Sequence, residues 1–194
     1  MPTYLLITPV SGCSPAATDN RDMTKAGEAS STLTISFVGS EVQNWGFITI
    51  TSIPNSDAWE TGDHTVNIIL DATNMQISAR IRILRINSAC AIQDTGAFTA
   101  SQDLRQNRVF TVTPTLTAQA CGDRLVVEIE FTNGTTMNQS VGLAVGIAGE
   151  CDDVSPITED GGTCGAVAPG TSLSHPLINK SGVYDEHHDM FKRR

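Results

Sequence analysis

Cations are scarce in this chain. Its 194 residues include only three lysines, Lys25, Lys180 and Lys192, and its 12 Lys and Arg stand against 21 Asp and Glu, a formal net charge of -9. Affinity for nucleic-acid phosphates comes from clustered cations, so direct nucleic-acid binding is not expected. No stretch approaches the roughly 20 apolar residues of a membrane-spanning helix, and no membrane association is expected. The opening MPTYLLITPVSG lacks the basic n-region and long apolar run of a signal peptide. The expectation is a protein that stays in the cytoplasm after synthesis or leaves as part of an assembly. Aromatic residues make up only 5% and charged residues 17%, and scarce Lys and Glu weigh against helices and toward β-structure rich in turns.

Catalytic signatures are missing as well. There is no G-x-S-x-G elbow, H-E-x-x-H, P-loop or G-x-G-x-x-G, so no nucleophile with its base can be named, and neither catalytic residues nor a cofactor is expected. The histidines are poorly placed for catalysis: His64 opens a strand, His175 precedes Pro176, and His187 and His188 sit in a terminal acidic cluster, each read as a solvated polar residue. The run Asp185 to Asp189 has the ligand types for a transition metal but no scaffold. Glu150, Asp152, Asp153, Glu159 and Asp160 supply calcium-type oxygens in an order that does not fit an EF-hand, so no metal site is expected. Five cysteines, Cys13, Cys90, Cys121, Cys151 and Cys164, form no C-x-x-C pair, which disfavours zinc. They read as reduced, partly buried thiols, or as a bridge formed after release into an oxidising medium, Cys151 to Cys164 or Cys90 to Cys121.

What is present is strand syntax, clearest from Trp59 to Ser88. Val66, Ile68 and Leu70 alternate with Thr65, Asn67, Ile69 and Asp71. After a turn at 72–74, Ile77, Ala79, Ile81 and Ile83 point one way and Ser78, Arg80, Arg82 and Leu84 the other, as a period of two requires. Strands are expected at 32–38, 46–53, 64–71, 76–86, 108–117, 124–132 and 138–147, with a short one near 96–100, a single helical turn at 103–107, and a short strand or an extended arm at 2–9. Asn133-Gly134 is a hairpin signal between the last two long strands. In 124–132, Leu125, Val127, Ile129 and Phe131 face inward, so Glu128 and Glu130 face outward as natural cross-strand partners of Arg80 and Arg82. An exposed ion-paired surface is favoured over an arginine-lined ligand face. Trp45 and Trp59 read as core-edge packing rather than a sugar platform, and the sequons at Asn133 and Asn138 as chance.

The expected architecture is all-β, an antiparallel β-sandwich of jelly-roll or Ig-like type, with extended N- and C-terminal arms. Residues 1–30 read as an N-terminal arm or linker, with 11–30 as loop. The sandwich follows at 31–148, and 149–194 combine an acidic Gly/Pro-rich loop with a C-terminal docking arm. The arm's anchors, Leu173, Leu177, Ile178, Val183, Tyr184, Met190 and Phe191, are candidates for docking on another subunit.

The arrangement W-x-x-G-x-x-T-V, N-M-x-I and R-I-x-x-x-R-I-N-S in the Trp59 to Ser88 segment, with F-T-N-G-T-T-M-N-Q-S at 131–140, resembles a group of β-sandwich proteins among tailed-bacteriophage virion genes. The resemblance covers about residues 45–148. It implies a structural, non-enzymatic virion component, assembled in the host cytoplasm: a head decoration or minor capsid protein with the major capsid protein or other virion subunits as partners, and a homo-oligomer, a trimer among others. A fibre or tail module is the other role it implies; the alternative reading, from the loops around Trp59 and Gln93 to Phe98, is a ligand- or glycan-binding module of fibre or tail-adhesin type.

Overall fold

A computed structural model describes residues 3–13, 19–24, 31–49, 57–59, 61–145, 172–174 and 177–179, the backbone alone for residues 3–10, 24, 31, 57–59, 172–174 and 177–179. All the regular elements among them are strands: β1 Thr3–Val10, β2 Asp19–Thr24, β3 Ser31–Phe37, β4 Val42–Thr49, β5 Asp57–Trp59, β6 His64–Ile68, β7 Leu70–Ala72, β8 Asn74–Ile86, β9 Ile92–Thr95, β10 Gln102–Leu104, β11 Arg108–Val112, β12 Arg124–Asn133, β13 Gln139–Val145, β14 Ser172–Ser174 and β15 Leu177–Asn179.

Two sheets make the sandwich. The larger runs β10-β8-β12-β4-β2-β1-β14-β6-β11, with β9 also pairing β8, and the smaller runs β3-β13-β7. Pairing is antiparallel except between β2 and β4. At the centre, β8 and β12 are matched over ten consecutive Cα partners, from Arg124↔Ile86 to Asn133↔Ile77, and β4 continues the register on the other side of β12.

The period of two does what it predicts. Ile77, Ala79, Ile81 and Ile83 of β8, and Leu125, Val127, Ile129 and Phe131 of β12, are all fully buried. They join Trp45 and Phe47 of β4, Val66 and Ile68 of β6, Phe110 and Val112 of β11, and the inner faces of β3 and β13 in one apolar cluster. Trp45 is thus a core residue, its Nε1 donating to Gln43 Oε1 at 3.1 Å.

A second, smaller cluster lies on the outer face of the larger sheet. Ile48, Val126 and Leu84 are cross-strand neighbours on β4, β12 and β8, and with Ile86 they are covered by Cys13 and Cys90. Leu84, expected to face solvent, is buried for this reason. Cys13 and Cys90 are joined by a disulfide, which corrects both the reduced-thiol reading and the expected Cys90 to Cys121 bridge; Cys121 is free and exposed. Cys151 and Cys164 lie outside the described residues.

Several local expectations change. The polar stretch 11–30 contains β2, whose Met23 reaches the core. With β1 it makes the N-terminal residues part of the larger sheet. The helical turn at 103–107 is instead the end of β10 and a bend. The short strand near 96–100 is displaced to β9, while 96–99 run beside β8, Gly96 N donating to Ile83 O and Thr99 N to Ile81 O. His64 is fully buried, its Nδ1 2.9 Å from the Gly62 carbonyl. After Asn133 the chain takes five residues to reach β13, and neither Asn133 nor Gly134 adopts positive φ, so this is not the two-residue turn that Asn-Gly usually signals.

The disulfide joins residues 77 apart. Closing a loop of that length restricts the unfolded chain by about 4 kcal/mol on the chain-entropy account. A Cys13→Ser/Cys90→Ser variant is expected to lose about that much stability in a non-reducing urea titration. A loss under roughly 1 kcal/mol would place the bridge outside the folded core's energetics.

Candidate interaction surfaces

Three places carry polar chemistry or exposed apolar surface. The first is the outer face of β8 and β12. Arg80 Nε and Nη2 donate to the two Glu130 oxygens at 2.7 and 3.0 Å, and Arg82 Nε donates to Glu128 Oε2 at 2.5 Å. The phenyl ring of Phe98 lies 4.4 Å from each guanidinium carbon, a stacking that arginine's planar cation favours. The expected cross-strand pairs are therefore present. They are not equally exposed, however: the Arg80 side chain keeps 43% of its surface while that of Glu128 keeps 2%. With its charges paired and its ring capped, this face has little left to offer a ligand.

The second place, at one end of the sandwich, escaped the sequence reading. Continuing the inward series of β8 past Ile83 puts Arg85 inside, where it is 4% exposed. Its Nε donates to Asp94 Oδ2 at 2.5 Å, Nη1 donates to Asp123 Oδ2, and Nη2 donates to Thr117 Oγ1 at 3.3 Å. Thr117 in turn donates to Asp94 from its amide, at 3.0 Å, and from its hydroxyl, at 2.6 Å. Asp123 accepts from Ala120 N at 2.8 Å. One buried cation thus ties β8, β9 and the 117–123 loop together.

Burial pushes the Asp94 carboxyl upward, but the hydrogen bonds from Arg85 and Thr117 more than offset this and hold it below the ordinary carboxylate value. Burial likewise works against the Arg85 charge, and Asp94 and Asp123 overcome it. Elsewhere, hydrogen bonds from Arg105, then Arg108, hold the half-buried Asp103 down at about 2.

The third place is the opposite end, where β3 leads into β4 and β12 leads into β13. Asn133, 2% exposed, is its hub. Its Nδ2 donates to Val38 O at 3.3 Å and Met137 O at 2.8 Å, its Oδ1 accepts from Thr135 N and Oγ1 at 3.0 Å, and its amide donates to Glu41 O at 2.9 Å. Gly134 N binds Gln76 O, and Glu41 Oε2 accepts from Val38 N at 2.8 Å. A Cβ on Gly39 would run into the Thr136 carbonyl, so the two turns interlock only with glycine there. On this frame Val38, Val42, Met75 and Met137 stand out, 69%, 52%, 70% and 69% exposed. Each is unremarkable in the sequence; pairing of Val42 with Thr132 and of Ile77 with Asn133 brings them to one end.

Of the candidate docking residues, Leu173 lies in β14, paired with Tyr4 of β1 and Val66 of β6, and Leu177 and Ile178 lie in β15, paired with Trp59 and Ala58 of β5. The structure thus places these three in strands joined to this chain's own β1, β5 and β6. Val183, Tyr184, Met190 and Phe191 lie outside the described residues, as do His175, His187, His188 and the acidic run from Glu150 to Asp160. Among the described residues no group of three or more His, Cys, Asp or Glu side chains is placed to hold a metal ion, and no helix is long and apolar enough to cross a membrane.

No family model matches the chain. No curated protein matches it either. Among solved structures, a chain in the structure of infectious bursal disease virus, Gx strain, aligns with 89% of this chain and 41% of its own length, at 10% identity and a TM-score of 0.30. A superposition that loose identifies neither family nor role.

Two outcomes follow from the Arg85 cluster. Asp94→Asn, which leaves a buried cation with half of its counter-charge, is expected to cost about 3 kcal/mol in urea unfolding at neutral pH. Because Asp94 titrates lower in the folded state than unfolded, near 3.9, its contribution is complete above about pH 4 and disappears as the pH falls through its folded value. The wild type should therefore lose stability steeply below about pH 4, and Asp94→Asn should show a flatter urea midpoint over the same window. Parallel pH profiles would contradict the assignment.

Proposed function

We propose that this protein is a structural component of a bacteriophage particle, decorating or cementing the capsid by binding other virion subunits. The observation that carries the reading is the apolar end: four exposed aliphatic and methionine side chains on a frame of interlocked turns. Apolar side chains exposed together at one end of a fold are the kind of surface that binds another protein, and a preformed frame limits the ordering cost of binding.

The other surfaces fit a part that binds rather than reacts. The arginines of β8 are satisfied by Glu128, Glu130 and Phe98, and the buried Arg85 is taken up by Asp94, Asp123 and Thr117. The net charge of -9 points to protein rather than nucleic acid as partner, and the resemblance of the 59–88 and 131–140 segments to phage virion sandwiches points the same way. The partner is the major capsid protein or another virion subunit, and a symmetric oligomer, such as a trimer, suits a lattice position. The C-terminal anchors Val183, Tyr184, Met190 and Phe191 would add a second contact, since linked weak contacts multiply in avidity.

Incorporation into particles tests this directly. Val38→Asp/Met137→Asp should reduce copies per particle at least tenfold while leaving thermal unfolding nearly unchanged, and Ile92→Asp, at an exposed isoleucine paired with Ile86 at the opposite end, should incorporate normally. Truncation after Asn179, which spares β14 and β15, should weaken incorporation without unfolding the sandwich. Wild-type copy number for the double variant would overturn the reading. Saturable binding to a glycan array in its place would favour a fibre or adhesin role.

A further inference from the structure

The turn that carries the free Cys121 is built against the turn that carries the Cys13–Cys90 disulfide. Cys90 sits at φ 63 in the turn after β8, whose shape is set by Asn87: its Oδ1 accepts from Ala89 N and Ala91 N at 3.0 Å, and its carbonyl from Cys90 N at 3.0 Å. The facing turn runs from Ala120 to Arg124. It is pinned by the Asp123 carboxylate, which accepts from Ala120 N and from the buried Arg85, and it turns at Gly122 with φ 91.

The two turns touch at two points. A Cβ on Gly122 would lie 3.4 Å from the Ser88 Cβ, and Arg124 Nη2 lies 3.4 Å from Cys90 Sγ. Cys121 is therefore next in sequence to a residue packed on Ser88, two positions before Cys90, and its thiol is exposed. A third cysteine, a disulfide and a guanidinium share one end of the fold.

We infer that Cys121 is an exchange thiol for the Cys13–Cys90 bridge, converting it to Cys90–Cys121 and releasing the segment at Cys13 from the outer face of the sheet. The step balances without an oxidant or reductant. Cys121 gives its proton to water and the thiolate attacks Cys90 Sγ; the Cys90–Cys121 bond forms as Cys13–Cys90 breaks, and Cys13 leaves with the electron pair and takes a proton from water. Arg124 stabilises the negative charge that spreads over the three sulfurs.

The apolar setting of Cys13 holds the reaction in check. That side chain is 2% exposed, packed on Ile48, Leu84, Ile86 and Val126, where a thiolate is poorly solvated. Departure of Cys13 must therefore accompany movement of residues 11–13, anchored by Ser11 N donating to Asn20 O at 2.9 Å and Cys13 N to Ser11 Oγ at 3.2 Å. Bridge exchange and displacement of residues 11–13 become one event, and the outer apolar cluster is uncovered by it.

The full-length chain carrying Cys151→Ser/Cys164→Ser, so that Cys121 is the one free thiol, provides the test. It is incubated without denaturant at about pH 8.5, where thiolates form, then quenched with N-ethylmaleimide and digested without reduction. The expected result is a Cys90–Cys121 linked peptide growing with time as the alkyl label moves from Cys121 to Cys13, at a rate at least threefold lower in Arg124→Gln. Persistence of Cys13–Cys90 with the label confined to Cys121, or a Cys90–Cys121 peptide that forms only in urea, would overturn the inference.

Discussion

The register between β8 and β12 is the constraint on which the rest depends. Side chains alternate across a strand, so a slip of one residue would turn every inward group outward. With Ile83 opposite Val127 and Arg82 opposite Glu128, isoleucines and valines fill the core, while Arg80 and Arg82 meet Glu130 and Glu128 on the outside. The same alternation carries Arg85 into the interior and Leu84 and Ile86 onto the outer face. Both placements look wrong for their residue types until their partners are known.

Those partners come from the loops, and they make the two ends of the sandwich different. At one end Arg85 recruits Asp94, Thr117 and Asp123, and the cysteine bridge clamps the N-terminal segment over Leu84 and Ile86. Removing one member of such a buried ionic cluster costs far more than removing one member of a partly solvated pair like Arg80 and Glu130, because the remaining charge cannot recover its hydration. At the other end Asn133 satisfies two turns with its own amide group, leaving the apolar side chains of those turns to face outward. A tightly bonded frame with exposed aliphatic groups suits docking without rearrangement.

Much of the architecture is legible in the sequence because it rests on a local period. The alternation of Ile77 to Ile83, of Leu125 to Phe131, and of Val66 and Ile68 identifies the strands, their inner faces and the β-sandwich class, and it sets Arg80 and Arg82 against Glu128 and Glu130. β2 is less visible, since DNRDMT is polar and contributes chiefly Met23 to the core, held by pairing in parallel with β4. Arg85 lies on a period that can be read, but its acids are 9 and 38 residues away in stretches that look like ordinary turns. The apolar end and the cysteine bridge are long-range in the same sense: Val38 and Met137, or Cys13 and Cys90, become neighbours only through the sheet order.

A partner-docking role for the apolar end is most directly measured by hydrogen–deuterium exchange on the protein free and bound to assembled capsids. The account predicts slowed exchange on capsids in the two segments 38–42 and 134–138, with the 80–82 and 128–130 segments unchanged. Protection confined to the arginine-bearing face of β8 and β12, or no change at either surface, would contradict it.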